Sequence, residues 1–269
     1  FITNDLAVVR TPTSGPRAGS ESQAAATADF LRTDAGDGAF TRSTAASGGP
    51  ARQFVRPEAD DSLEQAWVGE GTPVGASKVS RDAHLNRLER DPHDGDISIT
   101  VVCNDARMAV ERDIVEEVYG SREDLPFDVD VHYGLTVAEL KDVVQSEVDF
   151  LHYIGHIDEA GFECADGRLD VQMLRDAGPD SFLLNACQSY DQGRALVDAG
   201  SVGGIVTLSD VVNSGAVEMG RTLARLLNRG FPLRSALEIA RGESAVGDQY
   251  IVVGDGGLSM AQNEHGTPT

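Results

Sequence analysis

Two apolar runs, Asp149-Phe-Leu-His-Tyr-Ile-Gly-His156 and Ser181-Phe-Leu-Leu-Asn-Ala-Cys187-Gln-Ser189, decide how this chain folds. Each is short and bulky and gives way to small or polar residues. That is the pattern of a parallel strand buried on both faces whose C-terminal end opens into a loop. Two such strands side by side bring His156 and Cys187 to one edge of one sheet, the edge where open α/β sheets build their ligand sites. An imidazole and a thiol there can together attack a carbonyl, with the histidine passing a proton to the leaving group.

The surrounding segments extend the same sheet. Ile97-Ser-Ile-Thr-Val-Val-Cys103 is a β-branched run, and residues 106–120 carry apolar side chains at helical spacing up to Gly120. Phe127 to Tyr133 predicts a second strand. Thr136 caps a second helix, with Glu139 placed to complete a capping box. Asp166-Gly167 is a hairpin turn, and Val171 to Ala177 reads as a short helix stopped by Gly178-Pro179. After Cys187 come a helix to Ala199 with Gly200 as its stop, a fifth strand over 202–208 and a helix over 214–228. Gly230 and Pro232 punctuate the chain before a helix to Arg241 and a last strand at Tyr250-Ile-Val-Val253. Alternating strands and helices predict an α/β fold, an open, mostly parallel sheet with helices on both faces.

Upstream, residues 10–60 are dominated by Gly, Ser, Ala, Thr and Pro and read as loops or flexible connection. Leu6 to Val9 reads as a strand, and Ser62 to Trp67 as a short helix or strand. The turn cluster Asp91-Pro-His-Asp-Gly95 marks the boundary between an N-terminal region, 1–95, of unassigned fold and partly flexible, and a domain over 96–269.

The balance of 44 acidic against 22 basic residues gives a net charge of -22, which repels nucleic acid and anionic membrane. No nucleic-acid or membrane partner is expected. Only Lys78 and Lys141 are lysines, so the cations are almost all arginine. Many acids with little lysine resembles a protein from a salt-accumulating halophile. No apolar stretch approaches the ~20 residues that span a bilayer, and the start, Phe1-Ile-Thr-Asn4, is not a signal peptide. A cytoplasmic location is the default. The missing initiator Met reads as a processed chain or a piece of a longer one.

Cys103, Cys164 and Cys187 are an odd number at unrelated spacings, which argues against a disulfide framework and fits a reducing interior. Cys103 reads as core and Cys164 as a hairpin residue. Cys187 lies where a strand turns into a helix, and a helix N-terminus favours thiolate. His152 reads as a core histidine. A zinc site on His152, His156, Cys164 and Cys187 is disfavoured because i, i+4 positions on a strand lie about 13 Å apart, so no metal or cofactor is expected. Gly254-Asp-Gly-Gly257 lacks the Lys-Ser/Thr of a phosphate-binding loop and reads as a surface turn.

Together these residues resemble the caspase-like (clan CD) cysteine peptidases, most closely their CHAT branch, related to separase. The matching features are the strand ending in Gly155-His156, the Asp-Gly hairpin and the strand ending in Asn185-Ala186-Cys187-Gln188-Ser189. Gly203-Gly-Ile-Val-Thr-Leu-Ser-Asp210 and the helix pair carrying Gly230 to Leu237 follow in the right order. Ile157 stands where CHAT proteins commonly have Gly, and Ser209 and Asn213 where they often have Trp and Asp. The resemblance implies a cysteine endopeptidase with Cys187 as nucleophile and His156 as its proton-transfer partner. Gly155 and the Cys187 backbone would serve the oxyanion. Asp210, just beyond the fifth strand, would line a pocket for a basic P1 residue, with Asp191 as the next candidate. Its partners would be a protein substrate and a regulatory partner or the remainder of a longer chain. The alternative is a catalytically inactive CHAT-like module that binds another protein.

The charge yields a test. Screening of carboxylate repulsion shortens to a few ångströms in molar salt, so melting curves across a salt series should rise steadily in Tm. A flat series would remove the halophile reading.

Overall fold

In the computed structural model the described residues are 8–9, 54–57, 62–63, 65–90, 97–104, 127–211 and 213–260. The helix expected over 106–120 and the turn cluster at 91–95 lie outside them.

Among the described residues, four two-residue strands come first. β1 (Val8–Val9) pairs in parallel with β3 (Gln65–Ala66), and β2 (Phe54–Val55) with β4 (Thr72–Pro73). Helix α1 (Arg81–Glu89) follows, capped by the Ser80 hydroxyl, which accepts from the Ala83 amide.

The centre of the molecule is a six-stranded sheet. Its strands are β5 (Ile97–Cys103), β6 (Phe127–Tyr133), β7 (Phe150–Ile154), β11 (Ser181–Asn185), β12 (Gly203–Thr207) and β13 (Tyr250–Gly254), in the spatial order β13-β12-β11-β7-β5-β6. All pairings are parallel except that of β13, which closes one edge antiparallel to β12. Every residue of β7, β11 and β12 is buried, as continuous apolar runs in a sheet covered on both faces require. Three short antiparallel strands, β8 (Ile157–Asp158), β9 (Gly161–Cys164) and β10 (Gly167–Leu169), form a separate flap directly after His156. The Asp-Gly turn sits between β9 and β10 as expected.

Alternation along the strands sorts the two faces. Phe150, Ile154, Leu183, Ile205 and Tyr250 look toward helices α4 (Asn213–Asn228) and α5 (Leu233–Glu243). Leu151, Tyr153, Phe182, Leu184 and Val206 look the other way, where α2 (Val137–Gln145), α3 (Tyr190–Asp198), the flap and Ala83 of α1 cover them. The α2 capping box is formed in full: the Thr136 hydroxyl accepts from the Glu139 amide while the Glu139 carboxylate accepts from the Thr136 amide at 2.9 Å. Gly230 takes φ +86°, the left-handed turn that separates α4 from Pro232 and α5.

Three local differences from the sequence reading have physical causes. Residues 171–177 do not form a helix of that length. Only a single 3-10 turn, Val171–Met173, forms, because Leu174 is already extended and the Ala177 and Gly178 amides donate to the carbonyls of Ala199 at 2.8 Å and Val144 at 2.9 Å instead of to a preceding helical turn. The Gly254–Gly257 turn is not on the surface: Asp255 is buried and receives Arg87 of α1 at 2.6 Å. Helix α1 itself has no apolar stripe to betray it, with Ala83 its one buried residue. It docks through polar groups instead. Asn86 donates to the carbonyls of Val197 and Ser201, both at 2.8 Å, and Arg90 donates to those of Gly178, Pro179 and Gly200 and pairs with Asp180. Among the described residues no helix is long and apolar enough to cross a membrane.

His152 lies at the centre of β7, in register with Val101 and Leu183. Burial pushes its pKa from the ordinary 6.5 down to about 3. The unfolded chain therefore binds a proton that the folded chain refuses. The stability that neutral His152 brings is whole above pH 6.5 and is withdrawn as pH falls toward 3, by about 1.4 kcal/mol per pH unit. Unfolding free energies from urea titration should fall, for the unmodified protein relative to His152→Leu, by about 1.4 kcal/mol per pH unit from pH 6.5 down to 4.5. Parallel pH profiles would contradict it.

Candidate active site

Parallel pairing of β7 with β11 sets Ile154 opposite Asn185, so the two chains leave the sheet side by side, about 4.8 Å apart. His156 and Cys187 each follow their paired residue by two positions, at the same edge. Both side chains are half-buried. The loop after β12 reaches the same edge and contributes Ser209, Asp210 and Val211.

The turn that carries Cys187 is stitched to β12 through two buried hydroxyls. Thr207 Oγ1 donates to the Ala186 carbonyl and accepts from the Ser189 amide at 3.2 Å. In return Ser189 Oγ accepts from the Thr207 amide at 2.9 Å and lies 3.2 Å from the Leu184 carbonyl. Beneath it, Asn185 Nδ2 donates to the Ala216 carbonyl of α4 at 3.0 Å, and the Tyr250 hydroxyl donates to Asn185 Oδ1 at 2.7 Å. None of these partners is signalled by sequence spacing, since Thr207 and Tyr250 lie 18 and 65 residues from Ser189 and Asn185.

The sulfur sits against the β12 loop. The Val211 amide donates to Cys187 Sγ at 3.3 Å. The thiol is pushed above the ordinary thiol range, first by burial and also by the nearby Asp210 charge, against the Val211 amide and the cysteine's own N–H, which favour thiolate. This corrects the expectation of a thiolate at a helix N-terminus. Helix α3 begins only at Tyr190, and Ser189 at its cap is already helical, so the dipole acts three residues away while desolvation acts on the sulfur itself. Gln188, between nucleophile and cap, has φ +52° and donates from Nε2 to Asp210 Oδ1 at 3.0 Å.

On the histidine side, Gly155 is buried, and a Cβ on it would lie 2.8 Å from the Tyr153 hydroxyl. That hydroxyl lies within hydrogen-bonding reach of the carbonyls of His156 at 3.2 Å and Glu163 at 3.0 Å, while the Glu163 amide donates to the His156 carbonyl at 2.8 Å. The His156 backbone is thus fixed by the flap. Asp210 is exposed, and Asp191 is half-buried in the first turn of α3. Cys103 and Cys164 are buried, in β5 and at the end of β9. Among the described residues no three His, Cys, Asp or Glu side chains gather as a metal ion would need.

A mostly parallel sheet with helices on both faces makes this a mixed α/β fold, similar to the caspase-like folds of separase and gingipain R. Separase from Saccharomyces cerevisiae, in complex with securin, matches with a TM-score of 0.51 at 11% identity, over 67% of this chain and 14% of its own. Gingipain R, an Arg-specific cysteine proteinase, matches with a TM-score of 0.52 at 12% identity, over 75% of this chain and 57% of its own. The complex of Porphyromonas gingivalis RgpB pro- and mature domains gives a TM-score of 0.50 at 12% identity, over 68% of this chain and 56% of that one. The chain spans less than two thirds of each of these proteins, and at such identities the likeness is one of fold. No family model and no curated protein matches it.

The Thr207 stitch is directly testable. Thr207→Val leaves the buried Ala186 carbonyl and Ser189 amide without that hydroxyl, at about 1 to 3 kcal/mol for each orphaned group. Denaturant titration should show that loss with far-UV circular dichroism unchanged, and Thr207→Ser should recover most of it. Equal stability of the Val and Ser variants would show that the hydroxyl holds nothing.

Proposed function

We propose that this protein is a cysteine endopeptidase acting through Cys187 and His156, with a preference for a basic P1 residue. The observation that carries the reading is the β7–β11 register, which delivers an imidazole and a thiol to the same position past two adjacent parallel strands. A free thiol held protonated fits a site where the proton leaves only as substrate arrives. Cys187 Sγ attacks the scissile carbonyl carbon and His156 takes the thiol proton, while the Cys187 amide and the Gly155 backbone face the developing oxyanion. The C–N bond then breaks as His156 protonates the leaving amine. A thioester remains, and water, deprotonated by His156, hydrolyses it to release the acid and the thiol. No metal or cofactor takes part in this sequence.

Asp210 is the acid assigned to the P1 pocket. Its carboxylate is exposed at the same edge and adjoins Cys187 through Gln188, where an arginine or lysine side chain can pair with it. The fold it shares with gingipain R, itself Arg-specific, agrees with that choice. Asp191, in the first turn of α3, is the second candidate.

Fluorogenic peptides with Arg, Lys, Leu or Asp at P1 test the assignment. Cys187→Ala should abolish cleavage and His156→Ala should lower kcat by about 10²- to 10⁴-fold. Asp210→Ala should selectively depress turnover of the Arg and Lys peptides. Hydrolysis that survives Cys187→Ala would overturn the peptidase reading in favour of a non-catalytic binding module, and basic-P1 turnover that survives Asp210→Ala would move the pocket to Asp191.

A further inference from the structure

Gln188 stands in a position that the chemistry above does not use. It follows the nucleophile directly and, among the described residues, is the one non-glycine with a positive φ. A side chain adopts that conformation only where its surroundings hold it. Here two contacts do so: the Gln188 amide N–H to the Ser209 carbonyl at 3.4 Å, and Nε2 to Asp210 Oδ1 at 3.0 Å. Both join the cysteine turn to the β12 loop. Val211, the next residue of that loop, places its amide on Cys187 Sγ. Nucleophile, glutamine and acid therefore form one short circuit, Cys187-Gln188···Asp210-Val211···Cys187.

The bond that closes the circuit on the acid carries charge on one side only. A neutral carboxamide donates a single hydrogen to it, in an exposed position. A guanidinium brings two parallel N–H groups and a full charge, and replaces a neutral donor readily.

Resting on the peptidase reading, we infer that Gln188 is a latch: in the free protein its amide occupies Asp210, and a substrate whose P1 side chain is a guanidinium or ammonium displaces it, so that recognition of the cation and arming of Cys187 are one event. Neutralising Asp210 with a substrate cation removes one of the two influences that hold the thiol protonated; burial is the other and larger. Among the described residues, other titratable groups on the loops at this edge include His156, Asp158 and Glu163 after β7, Asp191 on α3 and Asp248, paired with Arg56, before β13. A neutral P1 side chain leaves the latch closed and the thiol resting. The device thus separates substrates by the readiness of the nucleophile as well as by affinity.

The probe is N-acetylarginine N-methylamide, with N-acetylnorleucine N-methylamide as its neutral control. The readout is the pH midpoint of iodoacetamide alkylation at Cys187, followed by peptide mapping at fixed ionic strength. The arginine probe should lower that midpoint and the norleucine probe should not. Asp210→Asn should show the lowered midpoint without any probe and no response to it. Gln188→Asn, which suits a left-handed backbone but is one methylene shorter, should reach the same lowered midpoint at severalfold less probe. A midpoint unmoved by arginine probe at concentrations that saturate its thermal shift, or an equal probe requirement in Gln188→Asn, overturns the latch. The midpoint is used because a bound probe can also slow alkylation by crowding, which changes the limiting rate and not its pH dependence. Peptide cleavage is a separate measurement. Cys187-independent cleavage with the midpoint shift intact overturns the peptidase and keeps the latch, and Cys187-dependent cleavage with no shift does the reverse.

Discussion

The parallel register between β7 and β11 is the constraint on which the rest of the molecule depends. A slip of one residue would turn every side chain of one strand to the opposite face. Phe150 and Ile154 would exchange layers with Leu151 and Tyr153, and the loops beyond would no longer leave the sheet at matching positions. The apolar layers on the two faces hold that register, since each accepts a different set of side chains. The site edge inherits its geometry from packing that lies entirely below it.

Above the sheet, polar contacts take over from apolar ones. Thr207 and Ser189 exchange hydrogen bonds across the β11–β12 gap, and Asn185 links α4 to Tyr250. Each of these groups is buried and satisfied, so the turn is held by bonds that are costly to leave unmade. Burial has a second effect on the sulfur within that turn, where it disfavours the charged form. Rigid placement and a resting thiol have the same cause.

Much of this was legible in the sequence. The runs 150–154 and 181–185 are short and mostly bulky and apolar, so buried parallel strands are legible in them, and the shared edge follows once the two lie side by side. Thr136 and Glu139 announce α2 because a capping box is a local device with a fixed spacing. Helix α1 was not legible, since an amphipathic pattern records apolar docking and α1 docks through Asn86, Arg87 and Arg90. The Thr207 and Tyr250 contacts were equally hidden, because they join residues far apart in sequence with no periodicity. The thiol was misjudged for a different reason. Nearness to a helix start is visible in a sequence, whereas the depth of a sulfur beneath a neighbouring loop is not.

The antiparallel edge strand has a consequence for biosynthesis. Tyr250, at the head of β13, supplies the hydroxyl that fixes Asn185, and Asp255 just past its end anchors α1 from the far side of the chain. The cysteine turn is therefore locked from below only once β13 has joined the sheet. A chain halted before that strand carries Cys187 and His156 without the Tyr250 bond that holds Asn185.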